Sequence, residues 1–207
     1  MIKKLTKYAK KIMFPHWTDD WKEIINFDTE KKVLNVGPGL NKIKNAISID
    51  VNDTLNPDIA WDLNKYPWPI DTSSFDRVIA LNVIEHLNDT MKTMEELHRI
   101  TKPNGTIYIL CPHFSDAAAF SDPTHKSFFS SRTFDYFIRG KEMEKDYGFY
   151  KDFRFSLEKM LIQLVPFFRY IPFLLLLINK YPVFWEKNFS FVIRGEGIFY
   201  KLKVLKS

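Results

Sequence analysis

The chain has 207 residues, of which 45% are hydrophobic and 27% are charged, and this balance predicts one globular domain with a substantial core. Its single cysteine, Cys111, excludes an internal disulfide and favours a reducing compartment. The net charge of +5 lies largely near the N-terminus and builds no basic patch interleaved with stacking aromatic residues, so a nucleic-acid partner is not expected. The basic start is not followed by an apolar stretch, so it predicts no secretory signal, and a cytoplasmic location is expected.

Residues 1–28 predict an N-terminal helical extension. Apolar residues recur at helical spacing from Ile2 to Met13 with lysines around them, and a second short helix is predicted from Asp19 to Asn26. The first helix is either a solvated cover for a sheet edge or a weak contact with an anionic membrane surface. The second alternative implies a peripheral position at the inner face of the membrane.

Strands and helices then alternate with short connections, which predicts a parallel sheet. Short apolar runs predict five strands, at 32–36, 46–50, 56–63, 77–81 and 106–110. A helix capped near Asp89 follows the fourth strand and stops at the turn Lys102-Pro103-Asn104-Gly105.

The turn Gly37-Pro38-Gly39 and the carboxylate of Asp50 predict a nucleoside site. Glycines let the backbone approach a ligand closely, and a carboxylate at the end of the second strand can accept both ribose hydroxyls. Gly37 and Asp50 are separated by 13 residues, against about 20 in the dinucleotide fingerprint. The short spacing and the lysine at position 42 disfavour a nicotinamide cofactor.

These segments resemble the class I S-adenosylmethionine-dependent methyltransferases, in particular the type-11 branch with a shortened first helix. The resemblance covers roughly residues 30 to 112. The segments that carry it are Val33–Gly39, Ile49-Asp50, Trp61-Asp62-Leu63, Phe75-Asp76-Arg77-Val78, Val83-Ile84-Glu85-His86-Leu87 and the turn that closes at Gly105. It implies an α/β, doubly wound, mainly parallel seven-stranded sheet of the Rossmann-like methyltransferase type. The implied strand order is 3-2-1-4-5-7-6, with a C-terminal antiparallel hairpin.

The resemblance also implies S-adenosyl-L-methionine as the cofactor. The glycine turn would face its methionine part, Asp50 its ribose, Asp62 and Leu63 its adenine, and the backbone at Leu81 its ammonium group. The full set of implied cofactor residues is Asn35, Gly37, Pro38, Gly39, Asp50, Val51, Asp62, Leu63, Leu81, Asn82 and His86. Asn35 stands where the family usually has Asp, which removes one negative charge beside a cationic ligand.

The segment after the fifth strand carries two histidines and two aspartates within 13 positions, 113–125. Such a loop lines the ligand crevice of a parallel sheet. His113 or His125 is a candidate general base, and Asp122 is a candidate to orient an imidazole. The alternatives are a structural turn at Asp122-Pro123-Thr124-His125 and a metal site, but no known ligand spacing is present and no metal is expected. His86 is interpreted as cofactor wall or core rather than as a base.

The C-terminal third predicts apolar helices and a hairpin. Ser130 or Ser131 would cap a helix through Ile138, and the apolar run 161–178 is too interrupted for a membrane span. That run is buried under the sheet, forms a homodimer contact, or faces a membrane or lipid substrate. Strands at 188–194 and 197–204, around Gly195-Glu196, predict the hairpin.

The sequence therefore predicts one methyltransferase domain over 1–207. It divides into the extension 1–28, a cofactor-binding core 29–112, a substrate loop with an apolar helical insertion 113–187, and the hairpin 188–207. The expected acceptor is a small molecule, or a cell-surface glycan or its lipid-linked precursor, by analogy with the family. A catalytically inactive cofactor-binding protein and a peripheral membrane adaptor are the alternatives.

Overall fold

Two short apolar runs form neighbouring parallel strands, β1 (Val33–Val36) and β2 (Ile47–Asp50), in the computed structural model of the protein. The structure describes residues 31–150, 152–169 and 171–206. The predicted helices at 2–13 and 19–26 lie outside these residues. All four side chains of β1 are buried, as expected for a strand covered on both faces of a parallel sheet.

Five further strands complete the sheet: β3 (Ile59–Ala60), β4 (Phe75–Leu81), β5 (Thr101–Pro112), β6 (Arg154–Leu164) and β7 (Gly195–Leu205). Their order is β3-β2-β1-β4-β5-β7-β6. The first five strands run parallel, and β7 pairs antiparallel with both β5 and β6. The predicted fold class and strand order are confirmed.

One long helix, α1 (Thr90–Ile100), follows β4 and packs its apolar face against the sheet. The Asp89 side chain caps it by accepting the Lys92 N–H at 2.9 Å. The other helices within the described residues are short: α2 (Ala118–Ser121), α3 (Glu142–Tyr147), α4 (Pro166–Arg169), α5 (Pro172–Lys180) and α6 (Pro182–Asn188). Single 3₁₀ turns occur at Asp53–Leu55, Ile84–His86, Asp135–Phe137 and Gly148–Tyr150.

The predicted turn before strand five is a bulge inside β5. Phe75 pairs with Thr101 but Arg77 pairs with Thr106, so the residues between Thr101 and Thr106 are extra on one side of the ladder. Asn104 takes the left-handed conformation there, with φ of 61°. The strand thus extends beyond the predicted bounds 106–110 at both ends.

The C-terminal strands differ from the prediction. Residues 188–194 form no strand, and the antiparallel partner of β7 is β6, which lies inside the segment predicted as substrate loop and insertion. Gly195 begins β7 rather than a turn, because the His113 ring packs against it: a Cβ at Gly195 would lie 2.8 Å from that ring. Glycine is needed at position 195 because the His113 ring approaches the backbone closely. In a sequence, such a glycine looks the same as one that marks a turn.

One predicted helix is absent, and the predicted apolar helical insertion is only partly helical. Residues 131–138 contain only the single turn Asp135–Phe137, and the apolar run 161–178 divides into the end of β6 and the helices α4 and α5. Several of its large side chains are exposed instead of buried under the sheet, Phe167, Phe173 and Leu176 among them. Among the described residues, no helix combines the length and apolarity that crossing a bilayer requires.

Candidate cofactor and acceptor site

The turn between β1 and β2 is shaped by its two glycines. Gly37 has φ of 55°, and a Cβ there would stand 2.3 Å from Cγ2 of Val83, so only glycine fits. Gly39 has φ of 49°, and a Cβ there would meet nothing within 4 Å. Gly37 is therefore required by packing against Val83, whereas the backbone at Gly39 faces open space.

The carboxylate of Asp50 closes this turn. Its Oδ2 accepts the Gly39 N–H at 2.9 Å, and its Oδ1 accepts the Asn52 N–H at 2.9 Å. Each carboxylate oxygen has a second lone pair, so the group can still accept hydrogen bonds from a ligand. Asp50 is thereby fixed at the edge of the sheet, beside the backbone of the glycine turn.

Buried hydrogen bonds hold the loop that carries Asp62 and Leu63 in position. The indole N–H of Trp68 donates to the Leu63 carbonyl at 3.0 Å, and the Trp68 backbone N–H donates to Glu96 of α1 at 2.6 Å. Arg99 holds Glu96 with two hydrogen bonds, at 2.6 and 2.9 Å. Through Glu96 and Trp68, helix α1 therefore fixes the position of the loop that carries Asp62 and Leu63.

Asn35 leaves a buried polar atom unsatisfied. Its side chain lies on β1 and is buried, and among the described residues its Nδ2 has no hydrogen-bond partner. Such a group costs about 1–3 kcal/mol of stability unless a ligand or water satisfies it. A carboxylate acceptor in the cofactor's methionine part fits that donor, and the open face at Gly39 fits the close approach of a ligand. The residues present therefore suit S-adenosylmethionine.

The other residues implied for the cofactor lie along the same edge. Leu81 ends β4, and Asn82 then turns the chain in the left-handed conformation, with φ of 51°, which asparagine tolerates. Pro38 is buried within the glycine turn, whereas the side chain of Val51 is exposed. The structure thus brings the predicted set to the carboxyl ends of β1, β2, β3 and β4.

Two segments that are distant in sequence meet beside Asn82. The Glu85 carbonyl accepts the backbone N–H groups of Lys126 and Ser127, at 2.7 and 3.3 Å. This pair of bonds ties the predicted substrate loop to the turn Ile84–His86. His125 consequently lies against His86, with ring centroids 4.7 Å apart in an edge-on arrangement.

Hydrogen bonds fix which nitrogen of each of these rings is protonated. Asp122 Oδ1 accepts the Thr124 hydroxyl at 2.6 Å, so Thr124 Oγ1 in turn accepts from His86 Nδ1 at 2.8 Å. His125 Nδ1 donates to the Ala119 carbonyl at 3.0 Å. In both neutral rings Nε2 is then the atom that carries the lone pair.

Asp122 does not hydrogen-bond His125 as the sequence suggested. The distance from its Oδ2 to His125 Nε2 is 3.8 Å, and its Oδ1 holds the backbone and hydroxyl of Thr124 instead. Those two hydrogen bonds lower the pKa of Asp122. The carboxylate orients His86 through Thr124, and the predicted structural turn is present in the same four residues.

Glu85 is a buried acid between these histidines. Burial raises its pKa from 4.5 to about 7, although the neighbouring His125 partly opposes the shift. Burial, and then the proximity of His125, lower the pKa of His86. At neutral pH the cluster therefore combines an acid that exchanges its proton readily with a neutral imidazole.

A cavity of about 470 Å³ opens in front of this cluster. Asn82 lines the cavity and also lies at the carboxyl end of β4, among the residues implied for the cofactor. Glu85, His86 and His125 form one wall of the cavity. The remaining lining includes Cys111 and Pro112 at the end of β5, Asp116, Asp122, and Gln163 and Glu196 from β6 and β7. The cavity lies where an acceptor would stand beside a cofactor bound along β1 and β2.

His113, the other predicted base, has a structural position. It is fully buried, its Nδ1 accepts from the Ser115 hydroxyl at 2.8 Å, and its Nε2–H donates to Glu186 at 3.1 Å. Its ring packs 5.1 Å from that of Trp185 on α6. Both nitrogens are engaged and the ring does not line the cavity, so the expectation of catalysis at His113 is not supported.

Sequence reasoning missed several lining residues, among them Glu85, Gln163 and Glu196. The signal for Glu85 was present, an acid inside the apolar run Asn-Val-Ile-Glu-His-Leu, but the same pattern is typical of an acid in the first turn of a helix. Gln163 and Glu196 enter the cavity through the β6–β7 pairing, where Gln163 Nε2 donates to Glu196 at 2.6 Å. That pairing is not visible in local sequence.

Comparison with known proteins gives a consistent picture. A family model described as a methyltransferase domain matches residues 12–109. No curated protein sequence matches the chain significantly.

Solved structures share the fold over most of the chain. A candidate methyltransferase from Bacillus halodurans C-125 is 15% identical, with a TM-score of 0.58, over 91% of this chain and 100% of the other. An S-adenosylmethionine-dependent methyltransferase from Archaeoglobus fulgidus is 17% identical, with a TM-score of 0.52, over 90% and 99%. A third structure, the [4+2]-cyclase SpnF, is 14% identical, with a TM-score of 0.57, over 93% and 81%.

The family model, the strand order and the glycine turn facing Asp50 agree. The chain has the fold of the class I S-adenosylmethionine-dependent methyltransferases, and just under half of it matches the methyltransferase-domain model.

Proposed function

We propose that the protein transfers a methyl group to a hydroxyl of a small polar acceptor, with a sugar or the sugar part of a glycan precursor as the acceptor class. The observation that carries this proposal is the cavity beside Asn82, where Glu85 and His125 meet in front of the cofactor edge. S-adenosylmethionine supplies a methyl group on a sulfonium, whose thioether is a good leaving group.

The residues of the edge hold the cofactor and orient it. Asp50 would accept from the ribose, the Asn35 amide would donate to the methionine carboxylate, and Asp62 would lie at the adenine end. Because the leaving group needs little assistance, most of the rate comes from aligning the acceptor oxygen with the methyl group and excluding water. The hydrogen bonds to the Leu63 carbonyl and to the Asp50 carboxylate hold these cofactor-binding residues in fixed positions.

An acceptor hydroxyl must also lose its proton. His125 Nε2 carries a lone pair in the observed tautomer and belongs to the cavity wall, so it is the candidate proton acceptor. Glu85, whose pKa of about 7 lies near neutrality, stabilises the protonated imidazole beside it. The cluster takes up the proton while the acceptor oxygen bonds to carbon.

The lining favours hydroxyls over anionic groups. Asp116, Asp122, Gln163 and Glu196 offer oxygen atoms that accept from sugar hydroxyls, and no Lys or Arg is among the described residues that line the cavity. A phosphate or carboxylate placed there would face carboxylates, and no Lys or Arg side chain of the described lining would balance its charge. We therefore expect the methylated part of the acceptor to be a neutral polyol rather than a phosphorylated group.

A methyl-transfer assay tests the proposal. Purified protein is incubated with methyl-labelled S-adenosylmethionine and separate fractions of neutral oligosaccharides, phosphorylated sugars and lipid-linked glycans. Label in a neutral sugar unit, lost in Glu85→Gln, supports the proposal. Binding of the cofactor with no label in any fraction favours an inactive cofactor-binding protein.

We also propose a peripheral contact with an anionic membrane, because the segment 166–194 exposes a large apolar surface. Its exposed large side chains are Phe167, Ile171, Phe173, Leu176, Leu177, Tyr181, Phe184, Phe189, Phe191 and Val192. The exposed charges described in this segment, Lys180, Lys187 and Arg194, are all basic, and its single acid, Glu186, is buried against His113 and Ser131. An apolar face with a basic rim suits a bilayer with anionic headgroups.

A further inference from the structure

Three side chains of the cavity wall face one another without bonding to one another. Glu85, His86 and His125 each offer one potential ligand atom, and these atoms all lie within 4.8 Å of one another. Ligands at about 2.1 Å from a shared ion are separated by about 3.4 Å in a tetrahedral site. A closure of up to roughly 1.4 Å between these atoms would therefore bring all three onto one ion.

Both histidines are held as metal ligands commonly are. Each donates its Nδ1–H to a fixed oxygen, His86 to Thr124 and His125 to Ala119, so that Nε2 presents a lone pair. A hydrogen bond to the second nitrogen is the usual support for an imidazole that binds a metal. Among the described residues, neither Nε2 atom has a hydrogen-bond partner, although Asp122 lies 3.8 Å from that of His125.

Glu85 supplies an independent observation. Its side chain is 1% exposed, and neither carboxylate oxygen has a hydrogen-bond partner among the residues that the structure describes. Two donors approach the carboxylate, its own backbone N–H and the Cys111 thiol, and neither reaches hydrogen-bond geometry. A buried carboxylate without donors is costly, and a cation is the partner that would satisfy both oxygens.

The charge of the cavity favours a cation. Besides Glu85, the carboxylates of Asp116, Asp122 and Glu196 line it, and no Lys or Arg side chain is in the described lining. Carboxylates that converge on a concave, partly enclosed space raise the local concentration of cations.

We propose that Glu85, His86 and His125 bind a divalent transition-metal ion of the Zn²⁺ class. Two imidazoles and one carboxylate form a recognised ligand set for such ions, and three protein ligands leave positions open towards the cavity. The positions 85, 86 and 125 match no contiguous sequence motif, which is why the sequence predicts no metal. The role of the ion rests on the proposed function: an acceptor hydroxyl bound to it loses its proton more readily, and His125 then acts as a ligand rather than as the base.

Metal binding is tested without cofactor or acceptor. Metal-free protein is titrated with Co²⁺ and followed by its visible absorption, and Zn²⁺ is then added in competition. The expected result is one Co²⁺ per chain with the bands of a nitrogen- and oxygen-ligated ion, displaced by one equivalent of Zn²⁺. Glu85→Gln and His125→Ala should each weaken Co²⁺ binding at least tenfold, whereas His98→Gln, which removes an imidazole elsewhere, should not.

The variants separate binding from folding. Glu85→Gln keeps nearly the same shape, so it reports on the charge even if His125→Ala unfolds. No Co²⁺ spectrum, or equal weakening in the His98→Gln control, would overturn the proposal. A specific site with no methylated acceptor would refute the proposed function alone, whereas acceptor methylation by protein that binds no metal would leave His125 as the base.

Discussion

At the scale of single residues, two histidines from one loop have opposite surroundings. His113 bonds Ser115 and Glu186 inside the core, whereas His125 is held on one side only and lines the cavity. We expect His113→Ala to lower the free energy of unfolding by roughly 2–4 kcal/mol, because it leaves a cavity and removes a partner from the buried Glu186. His125→Ala should retain cofactor affinity and lose about 10²–10⁴-fold in turnover.

Denaturant unfolding, cofactor titration and the methyl-transfer assay measure the two variants side by side. If His125→Ala unfolds early and His113→Ala does not, the two assignments are interchanged. If both variants keep full turnover on an identified acceptor, neither histidine takes part in proton transfer or metal binding, and positioning alone accounts for the rate.

Asp50 gives a second prediction at this scale. Asp50→Ala should weaken S-adenosylmethionine binding by roughly 1.5–3 kcal/mol, the scale of hydrogen bonds to a charged group. Titration calorimetry measures the change, and circular dichroism checks the fold. The exposed Asp53→Ala, on the next turn of the chain, is the matched control. Unchanged affinity in a folded Asp50→Ala protein would remove the ribose assignment.

The sequence could place Asp50 at the carboxyl edge of the sheet but could not place His113 in the core, for a physical reason. Asp50 follows a strand directly, and the carboxyl ends of parallel strands meet at one edge whatever the rest of the chain does. The surroundings of His113 depend on Glu186 and Gly195, more than 70 positions away in sequence. No local pattern distinguishes a histidine that will be buried by such partners from one left at the cavity.

At the scale of elements, His98 joins α1 to the last two strands. Its Nε2 lies 2.9 Å from the Leu205 carbonyl of β7, and its ring packs against Phe153 and against Phe155 of β6. Burial, with Lys206 nearby, lowers the pKa of His98. The unfolded chain then binds this proton more readily than the folded one, so the contribution of His98 to stability is present above pH 6.5 and is lost as the pH falls through the lowered pKa.

We expect His98→Gln to remove this acid sensitivity between about pH 7 and pH 5. The measured quantity is the difference in unfolding free energy between wild type and variant at each pH, so that the opposite contribution of Glu85, whose pKa is raised to about 7, cancels. A difference that stays constant with pH would show that His98 has an ordinary pKa in the fold.

The elements also show where sequence reasoning reaches its limit. Strands β1 to β5 and α1 are marked by local periodicity, a cap at Asp89 and short connections, whereas their order was implied by the family resemblance. Strand β6 was missed because its partner β7 lies beyond the inserted helices α4, α5 and α6, so no tight turn joins the two strands. The apolar residues at its end merge with those of α5 into one run in the sequence.

At the scale of the whole molecule, the apolar face of 166–194 lies on the segment between β6 and β7, whose Gln163 and Glu196 line the cavity. We expect weak binding to vesicles that contain anionic lipid, with each basic residue near the headgroups adding about 1 kcal/mol, and weakening in high salt. Flotation should show at least a tenfold loss of binding for the pair Phe173→Ser and Leu176→Ser. Phe149→Ser, another exposed aromatic position, is the control.

Two other outcomes would contradict this reading of the surface. If the Phe173→Ser and Leu176→Ser pair converts a dimer to a monomer in sedimentation and changes no vesicle binding, the face is a homodimer contact. If removal of residues 1–14 abolishes vesicle binding while the pair does not, the lysine-rich N-terminal segment is the anchor.

The most direct test of the account is a crystal structure of the protein with S-adenosylhomocysteine, the product form of the cofactor. We expect the ribose on Asp50, the amide of Asn35 at the methionine carboxylate, and the sulfur facing the cavity that Glu85 and His125 line. Density for the sulfur on the far side of the glycine turn, or for the ribose away from Asp50, would contradict the placement of both the cofactor and the acceptor.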